Sequence, residues 1–129
     1  MMYVADTHAV LWFLTEDSHL SGIAKEKFES AERGETVILI ASISLLELLY
    51  ICKKKKMLPL FTEFLKRLEK GNNYVIYELD FEIVKQCLHL NEVDEMHDRV
   101  LVATAQLVGA PLITIDQNIR NSHYVETVW

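Results

Sequence analysis

The segment Thr36-Val37-Ile38-Leu39-Ile40-Ala41 is apolar on both faces of an extended chain. A strand with one wet face alternates apolar and polar residues, because successive side chains point to opposite sides. A short run without that alternation is covered on both sides, as in a parallel sheet packed between two layers of helices. Met2 to Ala5, Tyr74 to Tyr77 and Pro111 to Ile115 read as further strands, and Tyr124 to Trp129 can add one at an edge. Helical segments separate them, so the fold class is α/β with a mainly parallel sheet of four to five strands.

The helices follow from spacing and punctuation. Thr7 starts one through Leu14 that is largely buried, and Glu16 to Ser18 is a turn. Ser21 caps a second through about Arg33, with Ile23, Ala24, Lys27, Phe28 and Ala31 as its inner stripe and Gly34 as its stop. Ser42 or Ser44 opens a third, which contains Glu47 and runs out into Lys53 to Lys56. Pro59 permits a fourth, with Phe61, Phe64, Leu65 and Leu68 at helical spacing and a stop at Gly71-Asn72-Asn73. Asp80 caps a short fifth helix expected to turn Phe81, Val84, Cys87 and Leu88 inward. After a polar connection from Glu92 to His97, a sixth runs from Asp98 to Val108 and stops at Gly109.

At 129 residues the chain suits a single domain, 1–129, with one core. No apolar run is long enough to span a bilayer, and the N-terminus lacks the basic region of a signal peptide. Cys52 and Cys87 form no CxxC pair or framework, which fits buried thiols in a reducing, cytoplasmic compartment. A formal net charge of -6 argues against tight non-specific nucleic-acid binding by bulk charge. It leaves room for a nuclease, because a metal site needs concentrated carboxylates.

Four acids stand out by position. Asp6 ends the first strand and Asp116 follows the fourth. Glu47 and Asp98 lie near helix starts. Right-handed crossovers bring strand ends and the following helix starts to one edge of the sheet, where open parallel sheets bind ligands. Glu47 interrupts a nearly continuous apolar run from Ile43 to Ile51, and a buried carboxylate must be protonated, paired or bound to a cation. Each acid also has a structural reading. Ser44-Leu45-Leu46-Glu47 matches a capping box, Asp98 suits a helix dipole, Asp116 can shape a turn, and Asp6 can cap the helix of Thr7. Together they would repel, and no Lys or Arg adjoins Asp6, Glu47 or Asp116 in sequence. Hard divalent cations relieve such repulsion, activate water and stabilise in-line displacement at phosphorus, which points to phosphodiester hydrolysis.

The ordered set of motifs resembles the PIN-domain ribonucleases, in particular the VapC-type toxins of toxin–antitoxin pairs. It comprises Val4-Ala5-Asp6-Thr7-His8-Ala9-Val10-Leu11-Trp12, Ala41 to Leu48 around Glu47, His97 to Ala105 after Asp98, Leu112-Ile113-Thr114-Ile115-Asp116, and the ending Val125 to Trp129. The resemblance implies a three-layer α/β/α fold, Mg²⁺ or Mn²⁺ dependence, endoribonuclease activity, homodimerisation and inhibition by a small cognate antitoxin. It assigns Asp6, Glu47, Asp98 and Asp116 as catalytic residues and as metal or water-mediated ligands. Thr114 and Thr7 become hydroxyls beside the site. Many relatives carry Asp where this chain has the longer Glu95, which the resemblance places beside the site, either in contact with the metal's water network or behind it.

His97 reads either as a proton shuttle or as a solvated loop residue, and His8 either lines the cleft or packs under it. His19, His89 and His123 show no ligand spacing. Lys53 to Lys56 is a solvated helix end or an RNA-backbone patch, with Arg99 and Arg120 as helpers in the second case. The Phe61-Phe64-Leu65-Leu68 stripe is core, or part of an antitoxin groove if exposed. Two other functions compete. A phosphoaspartate phosphotransferase would use a strand-end Asp as nucleophile, but it wants an acid where His8 stands. A non-catalytic PIN-like domain would bind RNA or protein without cleaving.

Overall fold

The computed structural model describes residues 1–71 and 73–129. Asn72, the middle of the expected stop after the fourth helix, lies outside the described residues. The elements are β1 (Met2–Ala5), α1 (Thr7–Leu14), α2 (Gly22–Glu32), β2 (Val37–Ala41), α3 (Ser42–Lys54), α4 (Leu58–Glu69), β3 (Tyr74–Tyr77), α5 (Phe81–Cys87), α6 (Met96–Val108), β4 (Leu112–Ile113), α7 (Gln117–Ser122) and β5 (Thr127–Val128).

The five strands form one sheet in the order β3-β2-β1-β4-β5, and every pairing is parallel. Register follows from Val4, which pairs with Leu39 on one side and Leu112 on the other. Ile38, Leu39, Ile40 and Ala41 are all buried, as a strand covered on both faces requires. Two cores result. One, around Phe28, Ile38, Leu48 and Phe64, lies under α1 to α4. The other, around Val4, Leu39, Val102 and Leu112, lies under α5 and α6. This is the three-layer α/β/α arrangement.

The order of connections reverses between β1 and β4. β1 leads to β2 on one side, while β4 enters on the other, so the crevice beyond the carboxyl ends of β1 and β4 is the topological switch point of the sheet. The backbone amide of Asp6 donates to the carbonyl of Ile113 at 3.1 Å, tying the two strand ends together there.

Several elements differ from the sequence reading. In α5, Phe81, Val84 and Leu88 point to solvent, Cys87 is half-buried, and Ile83 is the inward residue. In α2, Ile23 is exposed, while Ala24, Phe28 and Ala31 are buried. α6 begins two residues early, at Met96, and the helix α7 follows Asp116 where the sequence offers only a turn. The stripe of α4 is core, with Phe61, Phe64 and Leu68 buried. Among the described residues no helix is long and apolar enough to cross a membrane.

Candidate active site

α1, α3, α6 and α7 each enter the crevice from a strand end or a helix start, and each brings one carboxylate. Asp6, Glu47, Asp98 and Asp116 line the same open cleft, together with Thr7 and Glu95. The cleft has a volume of about 430 Å³, ample for a cation, its waters and a phosphate.

Asp6 and Asp116 are both helix caps. Oδ1 of Asp6 accepts from the amide of Ala9 at 2.8 Å, and Oδ1 of Asp116 accepts from the amide of Ile119 at 3.1 Å. The structural and functional readings therefore coexist. A carboxylate has two oxygens and about four acceptor sites, so one capping bond fixes its direction and leaves capacity for the cleft. Between the two lies Thr114, fully buried, whose hydroxyl accepts from the amide of Asp116 at 3.0 Å and faces Asp6.

Glu47 sits in the cleft, but not because hydrocarbon surrounds it. Leu46 is 54 % exposed and Tyr50 65 %, so α3 is apolar partly on its outer surface. Nor does Glu47 close a capping box. The N-cap of α3 is Ala41, without a side-chain hydrogen bond, and the Ser44 hydroxyl is buried without a partner. Asp98 lies in the first turn of α6 and is half-buried. Its backbone amide is capped by Oε2 of Glu95 at 3.1 Å, and Oε1 of Glu95 accepts from Nδ1 of His97 at 2.8 Å.

Burial and the neighbouring charges act together on these groups. Burial, followed by repulsion from Asp116, Glu95, Asp6 and Glu47, pushes the Asp98 carboxyl up to about 7. Burial also raises Asp6, against the Thr114 hydroxyl, the Ala9 amide and nearby His8, which favour its ionised form. His97 is raised by its hydrogen bond to Glu95, with Glu47 and Asp98 adding to the pull. Glu95 is lowered: burial opposes, but His97 and the Asp98 amide outweigh it. Among the described residues no basic side chain pairs with any of the four acids.

A hard divalent cation fits this donor set. The available groups are carboxylate and hydroxyl oxygens, and the Thr7 hydroxyl is buried at the cleft without a hydrogen-bond partner. Among the described residues the acids do not close into a compact cage of three or more ligands. Mg²⁺ keeps several waters and takes only one or two carboxylates directly, so it does not require a compact cage.

Sequence reasoning passed over Trp12 and left His8 open. Both line the cleft beside the acids. They stand four residues apart on α1, a spacing that puts them on one helix face, and that was the available signal. Arg99, considered for RNA, has a structural role: its guanidinium donates to the carbonyls of Val93 and Cys87.

Replacing Glu95 with Gln keeps an acceptor for the Asp98 amide and removes the charge beside His97. The expected result is a His97 titration that moves down toward the ordinary histidine value of about 6.5, followed by NMR. Glu95→Ala also removes the cap and lowers stability by about 1 kcal/mol, read from denaturant unfolding. An unmoved His97 titration in Glu95→Gln would contradict this reading of the pair.

A PIN-domain family model matches residues 3–122. The chain belongs to the PIN-domain family. Comparison with curated protein sequences returned no match. Among solved structures, the fold is similar to VapBC2 from Rickettsia felis bound to a promoter DNA fragment, at 17 % identity and a TM-score of 0.75 over 99 % of this chain and 98 % of that one. It is similar to Mycobacterium tuberculosis VapC20, a sarcin-ricin-loop-cleaving toxin, at 13 % identity and a TM-score of 0.71 over 98 % of each chain. DNA-bound VapBC from Salmonella typhimurium gives 13 % identity and a TM-score of 0.73, over 99 % of this PIN domain and 97 % of that chain.

Proposed function

We propose that this PIN domain is a metal-dependent endoribonuclease, the toxin of a toxin–antitoxin pair, with Mg²⁺ or Mn²⁺ held by Asp6, Glu47, Asp98 and Asp116. The observation that carries the reading is the meeting of four carboxylates, without a basic partner among the described residues, in one cleft at the switch point, where burial first and the other acids second raise Asp98 to about 7. When bound, the cation supplies activation of water and neutralises charge at the scissile phosphate. The chain's own residues do the positioning. The caps on Ala9 and Ile119 aim Asp6 and Asp116, and Thr114 braces the two. The free Thr7 hydroxyl can orient a water, and His97 can hold a proton at Nε2 while Glu95 anchors Nδ1.

The solved relatives include toxin–antitoxin complexes, which supports a small antitoxin as partner. A groove lined by Trp12, Phe13, Leu14 and Leu20 together with Asp17, Glu29, Glu32, Lys25 and Arg67 offers an apolar surface bordered by charges of both signs. Exposed Leu46, Tyr50, Phe81, Val84 and Leu88 supply apolar surface for a homodimer contact.

The test is cleavage of total RNA with and without Mn²⁺, beside Asp6→Asn. Cleavage that needs the metal and disappears in the variant is the expected result. RNA left intact by the wild type under all metal conditions, or cut equally well by Asp6→Asn, overturns the assignment.

A further inference from the structure

An aromatic track leads out of the acidic cleft. His8 is exposed at its rim, near enough to favour the ionised form of Asp6, and its ring lies 5.7 Å from Trp12. Trp12 forms the ridge between the cleft and the neighbouring groove. On the indole lies His19, stacked at 5.2 Å with an interplanar angle of 28°. Trp129 braces the indole edge-on at 5.9 Å.

The stacked pair is prepared rather than incidental. Oδ1 of Asp17 accepts from both the backbone amide of His19, at 2.8 Å, and its Nδ1, at 2.6 Å. The side chain of His19 is nevertheless 71 % exposed. An exposed imidazole ordinarily rotates freely, and here the Nδ1 bond holds it on an indole with its other face toward water, while the amide bond fixes its backbone. Ordering a ring before anything binds removes part of the entropic cost of binding. Lys55, in the exposed Lys53 to Lys56 run, lies on the same side of the molecule, near enough for its charge to favour the ionised Asp17 carboxylate.

Flat rings next to a positive run match one ligand chemistry, the single-stranded nucleic acid strand, whose bases stack on rings while its phosphates meet Lys. We propose that the His19–Trp12 pair is a stacking platform that receives an unpaired base of the RNA, outside the acidic cleft, with the lysine run holding the adjoining backbone. This inference rests on the nuclease reading and adds to it a place for one unpaired base, on the exposed face of His19.

The experiment measures binding of a short unstructured oligoribonucleotide carrying one 2-aminopurine, with EDTA present so that cleavage does not intervene. Wild type, His19→Ala and His19→Phe are compared, and RNA cleavage by the wild type with Mn²⁺ is run in parallel. Because His19 is exposed, neither substitution disturbs the core, and thermal melts verify folding. Stacking of one base on an aromatic side chain predicts a loss of roughly 10-fold or more in affinity for His19→Ala, recovery in His19→Phe, and 2-aminopurine quenching that follows affinity. An oligonucleotide bound equally well by His19→Ala overturns the platform, and does so without touching the nuclease reading if the wild type still cleaves. Equal weakening in His19→Ala and His19→Phe overturns it too, since charge rather than stacking would then be responsible. A wild type that neither binds nor cleaves RNA removes both readings together.

Discussion

Asp98→Asn lowers RNA cleavage by about 100-fold or more and leaves the metal-free protein at least as stable as the wild type. The first part follows from what the amide lacks. Asparagine keeps the shape of the side chain but carries no charge, and it cannot serve as an anionic ligand for a hard cation. Losing a partner behind a metal ligand costs about 10–100-fold, so losing the ligand itself costs at least the upper end of that range. The second part follows from the neighbourhood. Among the described residues Asp98 has no basic partner whose loss would leave a stranded charge, and burial with four surrounding carboxylates disfavours its ionised form. The helix cap survives, because Glu95 holds the backbone amide of residue 98 and not its side chain. Initial cleavage rates at saturating Mn²⁺, paired with thermal melts in EDTA, separate the two effects. A variant that cuts RNA at the wild-type rate would sink the assignment, and one that is inactive because it is unfolded would show itself in the melt.

The layers of the fold were legible because burial on two faces leaves a mark on a strand. The run Val37 to Ala41 could only be an inner strand, and Asp6 and Asp116 then had to sit at the ligand-binding edge. Glu47 was placed by a weaker argument. The apolar run around it looked like a buried helix, whereas Leu46 and Tyr50 are on the surface. A sequence cannot distinguish an apolar face covered by the core from one kept for a partner. The same ambiguity turned α5 around: with Phe81, Ile83, Val84 and Leu88 all apolar, seven residues hold two turns, too few for spacing to fix the inward side. α7 left almost no pattern, because Ile119 is its single buried residue. The stacking of His19 on Trp12 depends on how the α1–α2 turn folds back, and nothing in the spacing of the two residues announces it.

The stability of the metal-free protein falls as pH rises from about 4 to about 7, and Mn²⁺ reverses the trend at the upper end. In the folded chain Asp98 holds its proton up to about 7, while unfolded it releases it near 3.8. Between those values the folded state binds more protons, so stability decreases with pH, the opposite of a salt-bridged aspartate. Asp6, raised chiefly by burial, adds to the slope. His97 acts in the same direction at the upper end. Its folded value is raised, so its contribution is complete below about 6.5 and is lost as pH passes the folded value. Glu95, lowered through His97, works the other way, but only as pH falls below about 4.5. Asp98 is half-exposed, so solvent screening reduces its share to about 1–2 kcal/mol. Mn²⁺ at about 100 times its dissociation constant adds roughly 2.7 kcal/mol, and it does so only where the carboxylates are deprotonated. Melting curves with and without Mn²⁺ should therefore converge near pH 5 and separate most widely near pH 8. Asp98→Asn should flatten most of the metal-free slope below pH 6.5 and shrink the Mn²⁺ response. A flat metal-free profile together with no Mn²⁺ response would mean that these four carboxylates do not share a cation, however closely the fold has brought them.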